Sequence, residues 1–308
     1  MQSRVLRIGT RGSPLALAQA TMVRAQLTSA HGLPAEAFEV KIIRTSGDVI
    51  QDRPLAEVGG KGLFTKEIEE ALIAGEVDLA VHSAKDLPTL LPDGLAIVAA
   101  LAREDPRDVF ISRKAKTFRD LASGATVGTA SLRRQALVKR LRPDLKVVSF
   151  RGNVETRLRK LDEGIVDATL LALAGLRRLG LTEAATAILD TDEFLPAVGQ
   201  GIVAIEARAD DARTRALVDH INSPDDAIAL AAERAFLTVL DGSCRTPIAG
   251  HAQVAAGRVS FRGLIAKPDG TQVFETAREG AVAQAGALGA DAGRELKERA
   301  GAGFFALA

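Results

Sequence analysis

Apolar and polar positions alternate with two periods along the first two hundred residues. Short runs rich in β-branched and aliphatic residues are followed by stretches in which apolar positions recur every three or four. "RVLRIGT" (4–10) reads as a strand and "SPLALAQATMVRAQLTSA" (13–30) as a helix. "FEVKIIRT" (38–45) is a strand, and "LFTKEIEEALIAG" (63–75) a helix closing at Gly75. "VDLAVHS" (77–83) and "LAIVAALA" (95–102) are strands. The pattern then restarts: strand "ATVGT", helix "SLRRQALVKRL", strand "LKVVSF", helix "NVETRLRKLDEG", strand "DATLLAL". Such alternation predicts βαβ units and a largely parallel sheet.

"LPAVGQGIVAIEAR" (195–208) is one more glycine-punctuated strand after the second block ends. A return crossing would carry it into the first domain, with hinge segments near 100–105 and 198–203. From about 219 the pattern changes. "SPDDAIALAAERAFLTVL" is an amphipathic helix with Ser223 as N-cap and Pro224 at its first position. Three antiparallel strands with turns at Ala256-Gly257 and Asp269-Gly270 follow, then an Ala/Gly-rich helix. The expected architecture is α/β: two similar βαβ domains flanking a cleft, plus a small α+β C-terminal domain. The expected boundaries are 1–102 with 200–218, 103–199, and 219–308.

The chain has 308 residues, 47% of them hydrophobic and 26% charged, as in an ordinary globular protein. Its start has no apolar signal region, and no apolar run is long enough for a membrane span. Cys244 is the only cysteine, which excludes an internal disulfide and a cysteine-based zinc site. A reducing cytoplasm fits these features. Net charge is +1, so no global polyanion-binding surface is indicated. Residues 131–160 are locally basic, however, with ten cations opposed only by Asp144 and Glu155.

Cations recur where strands end: Arg11, Lys85, Arg133 and Arg134, Arg151, and Arg177 with Arg178. Ligands of open α/β sheets bind beyond the carboxyl ends of strands. Converging arginines there would hold a polycarboxylate or a phosphate through bidentate hydrogen bonds. Taken singly, each reads as a solvated helix end; the repetition favours a site. "IGTRGSPLALAQA" and "VGTASLRRQALV" both place a serine, Ser13 and Ser131, at a helix start, which is a ready anion site. Asp86, in "VHSAKDLPT", stands just past a buried-looking strand. It reads either as a general acid that also stabilises a developing cation or as a capping aspartate. His82 and Asp86 are four apart but not on a helix, so no metal pair is expected. "EVGGKGLFTKEIEEAL" (57–72), with Lys61, lacks phosphate-loop spacing and reads as a flexible flap or an ordinary glycine turn. No Trp or Tyr is present, so stacking surfaces for single-stranded nucleic acid are poorly supplied.

Together these motifs resemble the porphobilinogen deaminase (hydroxymethylbilane synthase) family over nearly the whole chain. "IGTRGSPLALAQ", "GGKGLFTKEIE", "DLAVHSAKDLP", "VGTASLRRQ", "FRGNVETRLRKL", "LALAGLRRLG", "LPAVGQG" and "ERAFL...LDGSCRTPIAG" occur in the family's order. The resemblance implies a fold whose first two domains are like periplasmic solute-binding proteins. It implies a thioether from Cys244 to a covalent dipyrromethane cofactor, which acts as a primer and is not turned over. The implied reaction joins four porphobilinogen molecules head to tail, with loss of ammonia, to release linear hydroxymethylbilane. It implies that Lys85, Asp86, Ser13, Ser131, Arg133 and Arg134 bind the cofactor and that Arg11, Arg151, Arg157 and Arg178 bind substrate carboxylates. Asp86 would be catalytic, assisting loss of the amino group and stabilising the azafulvene cation and the pyrrole N–H groups. No metal, nucleic acid or membrane partner is implied, and a monomer is expected. Ser243 stands where many members have glycine, and Arg245 where others have glutamine. A non-catalytic solute-binding module and a nucleic-acid binder are the rival readings. The absent signal region, the third domain and the pairing of Asp86 with Cys244 count against the first. The net charge and the missing aromatics count against the second.

Overall fold

Three sheets organise the chain, and a computed structural model describes residues 5–49, 64–240, 247–301 and 303–304. The first sheet takes β1 (Leu6–Thr10), β2 (Phe38–Ile42), β3 (Leu79–Ser83), β4 (Leu95–Ala100) and, much later, β10 (Val203–Arg208). The second takes β5 (Asp108–Ser112), β6 (Thr126–Gly128), β7 (Lys146–Val148), β8 (Ala168–Ala172) and β9 (Ala187–Ile188). The strand orders are β2-β1-β3-β10-β4 and β7-β6-β8-β5-β9. These are the same order, with β6 in the place of β1 and β5 in the place of β10.

The sheets are mixed rather than largely parallel. β1 pairs in parallel with β2 and β3, and β6 with β7 and β8. β10 and β5 run antiparallel to their neighbours. The reason is topological. Each of these strands enters its sheet from the other unit, at the end where the parallel strands finish, so it runs the opposite way. The two crossover segments lie side by side, with Glu104 N–H donating to Gly201 O and Leu101 N–H to Val203 O. Gly201 has φ +91° there, and a Cβ would sit 2.2 Å from the Glu104 carbonyl oxygen, so only glycine fits.

Helices α1 (Pro14–His31), α2 (Ser46–Val49), α3 (Lys66–Ile73) and α7 (Ala212–Asp219) accompany the first sheet; α4 (Leu132–Leu141), α5 (Val154–Asp162) and α6 (Leu173–Arg178) accompany the second. β3 and β8 are buried along four of their five residues, as expected for central strands covered on both faces. α1 starts at the Ser13 cap with Pro14 at its first position and stops at left-handed Gly32.

The third unit packs α8 (Pro224–Val239) and α9 (Ala285–Ala300) on an antiparallel sheet of β11 (Ile248–Ala255), β12 (Arg258–Ala266) and β13 (Val273–Ala281). Ala256 and Gly257, both at positive φ, make the two-residue turn between β11 and β12. The glycines of α9 let it approach α8: a Cβ on Gly289 would meet the Ala232 carbonyl oxygen at 1.9 Å. Ser223 occupies the cap position of α8, but its hydroxyl donates to Asp226 and makes no backbone cap bond. One apolar core is shared between the second and third units, joining Phe118, Phe194 and Leu195 to Ala249 and Leu264. No helix among the described residues is long and apolar enough to cross a membrane. Cys244, Ser243, Arg245 and the segment around Lys61 lie outside the described residues.

Candidate functional site

The two serines named from the sequence are both helix caps at the carboxyl ends of parallel strands. Ser13 Oγ accepts from the Ala16 N–H at 3.3 Å, and Ser131 Oγ accepts from the Arg134 N–H at 3.4 Å. In each case the hydroxyl proton stays available to an incoming anion, at the helix end where partial positive charge gathers.

β3 ends in a single helical turn, Ala84–Asp86, which carries Lys85 and Asp86. Gly199 packs against this turn, and the Ala84 N–H donates to Ile202 O, so the crossover holds it in place. Asp86 is exposed and Lys85 half-buried. Lys85 Nζ reaches Gln200 Oε1 at 3.4 Å. Burial pushes the Lys85 ammonium down to about 8, helped by the positive charge of Arg134 and Arg133 and opposed by Asp86 and Asp108.

Arg133 and Arg134, on the first turn of α4, are buried and share the carboxylate of Asp108. Arg133 Nη1 lies 2.8 Å from Asp108 Oδ2 and donates to Leu195 O. Arg134 donates to Asp108 Oδ1 from Nε and Nη2 at 3.0 and 2.7 Å, and to Leu170 O from Nη1. Gln200 Nε2 adds a contact to Asp108 Oδ1 at 3.2 Å. Burial works to raise Asp108, but the two guanidiniums hold it far below the usual carboxylate range. Two guanidiniums on one carboxylate leave an excess positive charge in the floor of the site.

Arg157 of α5 donates from Nε to Gly152 O at 2.8 Å. Burial lowers it to about 10, with the charges of Arg134 and Arg151 adding to this and Asp86 opposing. Asp86 from the first unit therefore acts electrostatically on Arg157 from the second. Arg151 lies in the same field, and its carbonyl accepts from Lys160 Nζ. Lys85, Arg133, Arg134, Arg151 and Arg157 thus face two carboxylates, Asp86 and Asp108. Such a donor set is built for a ligand with several carboxylates.

Arg11 sits apart on the first unit, its guanidinium carbon 4.2 Å from the centre of the Phe64 ring. It lines a cavity of about 50 Å³ with Ser13, Gln19, Phe64, Thr65, Ser83 and Asp86. Arg178 lies by the crossover, donating from Nη2 to Gly201 O at 2.6 Å, and burial lowers it. Asp108 and Gln200 are site residues that sequence reading missed. The available signal for Asp108 was a carboxylate heading the apolar run "DVFIS". Glu233 of α8, wholly buried, accepts from Arg103 Nη1 at 2.6 Å and from the Gly199 and Ala252 N–H groups. No group of three or more potential metal ligands occurs among the described residues.

Comparison with known proteins places these features in a family. Residues 6–216 match the model described as "Porphobilinogen deaminase, dipyromethane cofactor binding domain", and residues 227–298 the "Porphobilinogen deaminase, C-terminal domain". The porphobilinogen deaminase of Nitrobacter winogradskyi is 67% identical over 300 residues, covering 97% of this chain and 95% of that protein. That of Nitrobacter hamburgensis is 66% identical over the same shares. Among solved structures, a periplasmic substrate-binding protein of an ABC transporter from Coxiella burnetii aligns with a TM-score of 0.45 at 17% identity, over 71% of this chain and 93% of that one.

Proposed function

The chain belongs to the porphobilinogen deaminase family, and from that membership we propose how its residues carry out the reaction. It is a hydroxymethylbilane synthase, an enzyme of tetrapyrrole biosynthesis, and its cofactor is dipyrromethane. The finer reading is that four porphobilinogen molecules are deaminated and joined head to tail on the cofactor, and that linear hydroxymethylbilane is released. The attachment point is Cys244, in the segment that follows α8. Once bound, the cofactor supplies the free pyrrole position at which the chain grows.

The observation that carries this reading is the excess of cations over carboxylates around Asp86. Arg133, Arg134, Lys85, Ser13 and Ser131 would hold the cofactor's carboxylates; Arg11, Arg151, Arg157 and Arg178 those of the substrate and the growing chain. Asp86 is an exposed carboxylate whose charge acts on Lys85 and Arg157 of that group. Its charge stabilises the cation that develops at the methylene carbon as ammonia leaves, and it orients the pyrrole N–H groups. It also takes the proton displaced when the new carbon–carbon bond forms. The division into 1–102 with 200–218, 103–199 and 219–308 goes with this reading. Its support is that β10 completes the first sheet and the crossovers run together. A monomer acting in the cytoplasm is part of the same proposal, because a lone thiol stays reduced there for alkylation.

The test is single-turnover ammonia release from porphobilinogen by protein confirmed by mass to carry the cofactor. Asp86→Asn keeps the arginines and so keeps substrate binding, but loses rate on the order of 10²–10⁴. Asp86→Glu retains slower turnover. Release as fast as wild type from Asp86→Asn would reduce Asp86 to a local capping residue.

A further inference from the structure

The first sheet buries a second ionisable cluster that this mechanism leaves unused. His82 on β3 and Glu206 on β10 share one face of the sheet, because the antiparallel register sets His82 opposite Ala204 and Glu206 opposite Ala80. Diagonal neighbours on such a face are within reach of long side chains. His82 Nε2 lies 3.1 Å from Glu206 Oε2, with the two side chains 3% and 0% exposed. Among the described residues, His82 Nε2 and both Glu206 oxygens are buried without a hydrogen-bond partner of good geometry, so this close contact is what the two side chains have.

Glu69 of α3 packs over the same face, beside the apolar cluster of Ile68, Leu72, Val77, Ala80 and Leu95. Burial raises its carboxyl, Thr65 opposes, and the charge of Glu206 adds to the rise. Arg234 of α8 is a cation whose charge also interacts with Glu206. A buried carboxylate without a donor is costly, and the donor in reach of Glu206 is the His82 ring.

His82 itself lines the cavity beside Asp86, while Glu206 and Glu69 are not part of that lining. From His82, β3 runs through Ser83 directly into the Ala84–Asp86 turn. On the other side, Phe64 and Thr65 line the cavity and lead into α3, which carries Glu69. The cluster therefore ties together the two elements that wall the cavity.

We propose that His82 is a positioning residue for the deamination reaction: its Nε2, 3.1 Å from Glu206 Oε2, holds the end of β3 and so the aim of the Asp86 carboxylate. This rests on the deaminase reading above. A carboxylate–imidazole pair of this kind sets both the tautomer and the orientation of the ring, and loss of such supporting contacts typically costs 10–100-fold in function.

The test compares His82→Gln, whose amide nitrogen reaches the place of Nε2, with His82→Asn, which falls short of it. Ammonia release is measured per site shown by mass to be loaded with cofactor. His82→Asn should lower kcat about tenfold or more while the KM for porphobilinogen stays near wild type, and His82→Gln should restore most of the rate. A merely structural role would lower the melting temperature and the loaded fraction, and leave kcat per loaded site unchanged in both variants. That outcome overturns the proposal, as does His82→Gln performing no better than His82→Asn. Nitrogen-15 NMR of the wild-type imidazoles, with His82 assigned by its absence in His82→Gln, gives a readout free of turnover. Nε2 of His82 should carry a proton at neutral pH; a bare Nε2 sinks the idea. Wild-type protein that releases no ammonia defeats the deaminase reading itself, an outcome distinct from active wild type with an unaffected His82→Asn.

Discussion

Arg103 grips Glu233 through two nitrogens, Nη1 to Oε1 at 2.6 Å and Nη2 to Oε2 at 3.3 Å, in a site that is nearly dry. The pair fastens the crossover between the first two sheets to α8, the helix that leads toward Cys244. Glu233 also takes the Gly199 N–H, so the same carboxylate holds the second crossover. Helix α8 and both crossovers are thereby joined at one buried ion pair.

Removing one partner of such a buried pair leaves an uncompensated charge. Glu233→Gln should destabilise the protein by roughly 3–5 kcal/mol, read from urea denaturation midpoints. Arg103→Met/Glu233→Met, which removes both charges, should recover much of that loss. A double variant as unstable as the single one would show that the helix contact, not the ion pair, carries the stability.

Asp108 gives a pH dependence. Its folded value is depressed, so its contribution is fully present above the unfolded value of about 4 and is lost as pH falls toward the folded one. Denaturation midpoints measured between pH 7 and pH 3 should fall more steeply for wild type than for Asp108→Asn. At pH 7 the variant should be less stable by roughly 3–5 kcal/mol, because Arg133 and Arg134 are left buried without their carboxylate.

Lys85 behaves in the opposite sense. Its folded value of about 8 lies below the unfolded value near 10.4, so the folded state gives up its proton first. Stability from this group is missing below about pH 8 and is recovered as pH rises toward 10. Carbon-13 NMR of reductively methylated protein should show one lysine titrating near 8 in protein lacking cofactor. A polycarboxylate bound in the cleft should move it upward. A lysine population titrating uniformly above 10 counts against the burial of Lys85 in the cleft.

Cys244→Ser should fold with a melting temperature near that of wild type lacking cofactor, carry no pyrrole adduct by intact mass, and form no hydroxymethylbilane. The sulfur is the only thiol of the chain, so an adduct found in the serine variant would place the attachment elsewhere.

Several site residues were legible in order along the chain because strand-end chemistry is local. A β-run, a Gly-Thr, a serine and a helix pattern place Ser13 and Ser131 at caps without any tertiary information, and both caps are present. Arg11, Lys85 and Asp86 follow strand ends for the same reason. The third unit's hairpin was equally local, since Ala256-Gly257 leaves the flanking strands one pairing.

What the arginines do was not legible. Arg133 and Arg134 look like two unpaired carboxylate binders in "SLRRQ", yet both also pair with Asp108, which heads a strand that arrives from the other unit. Nothing in a window of sequence reports that pairing, because it depends on β5 being laid antiparallel against β8. The mixed sheets have the same origin. Periodicity reports that a segment is a strand and which faces are apolar, but not the direction from which the chain enters the sheet. Local composition therefore determined the elements, the caps and the candidate cations. Tertiary structure alone decided which ionisable groups meet, since His82 with Glu206 and Arg103 with Glu233 come together across more than a hundred residues in a dry interior where an unmatched polar group is costly to leave.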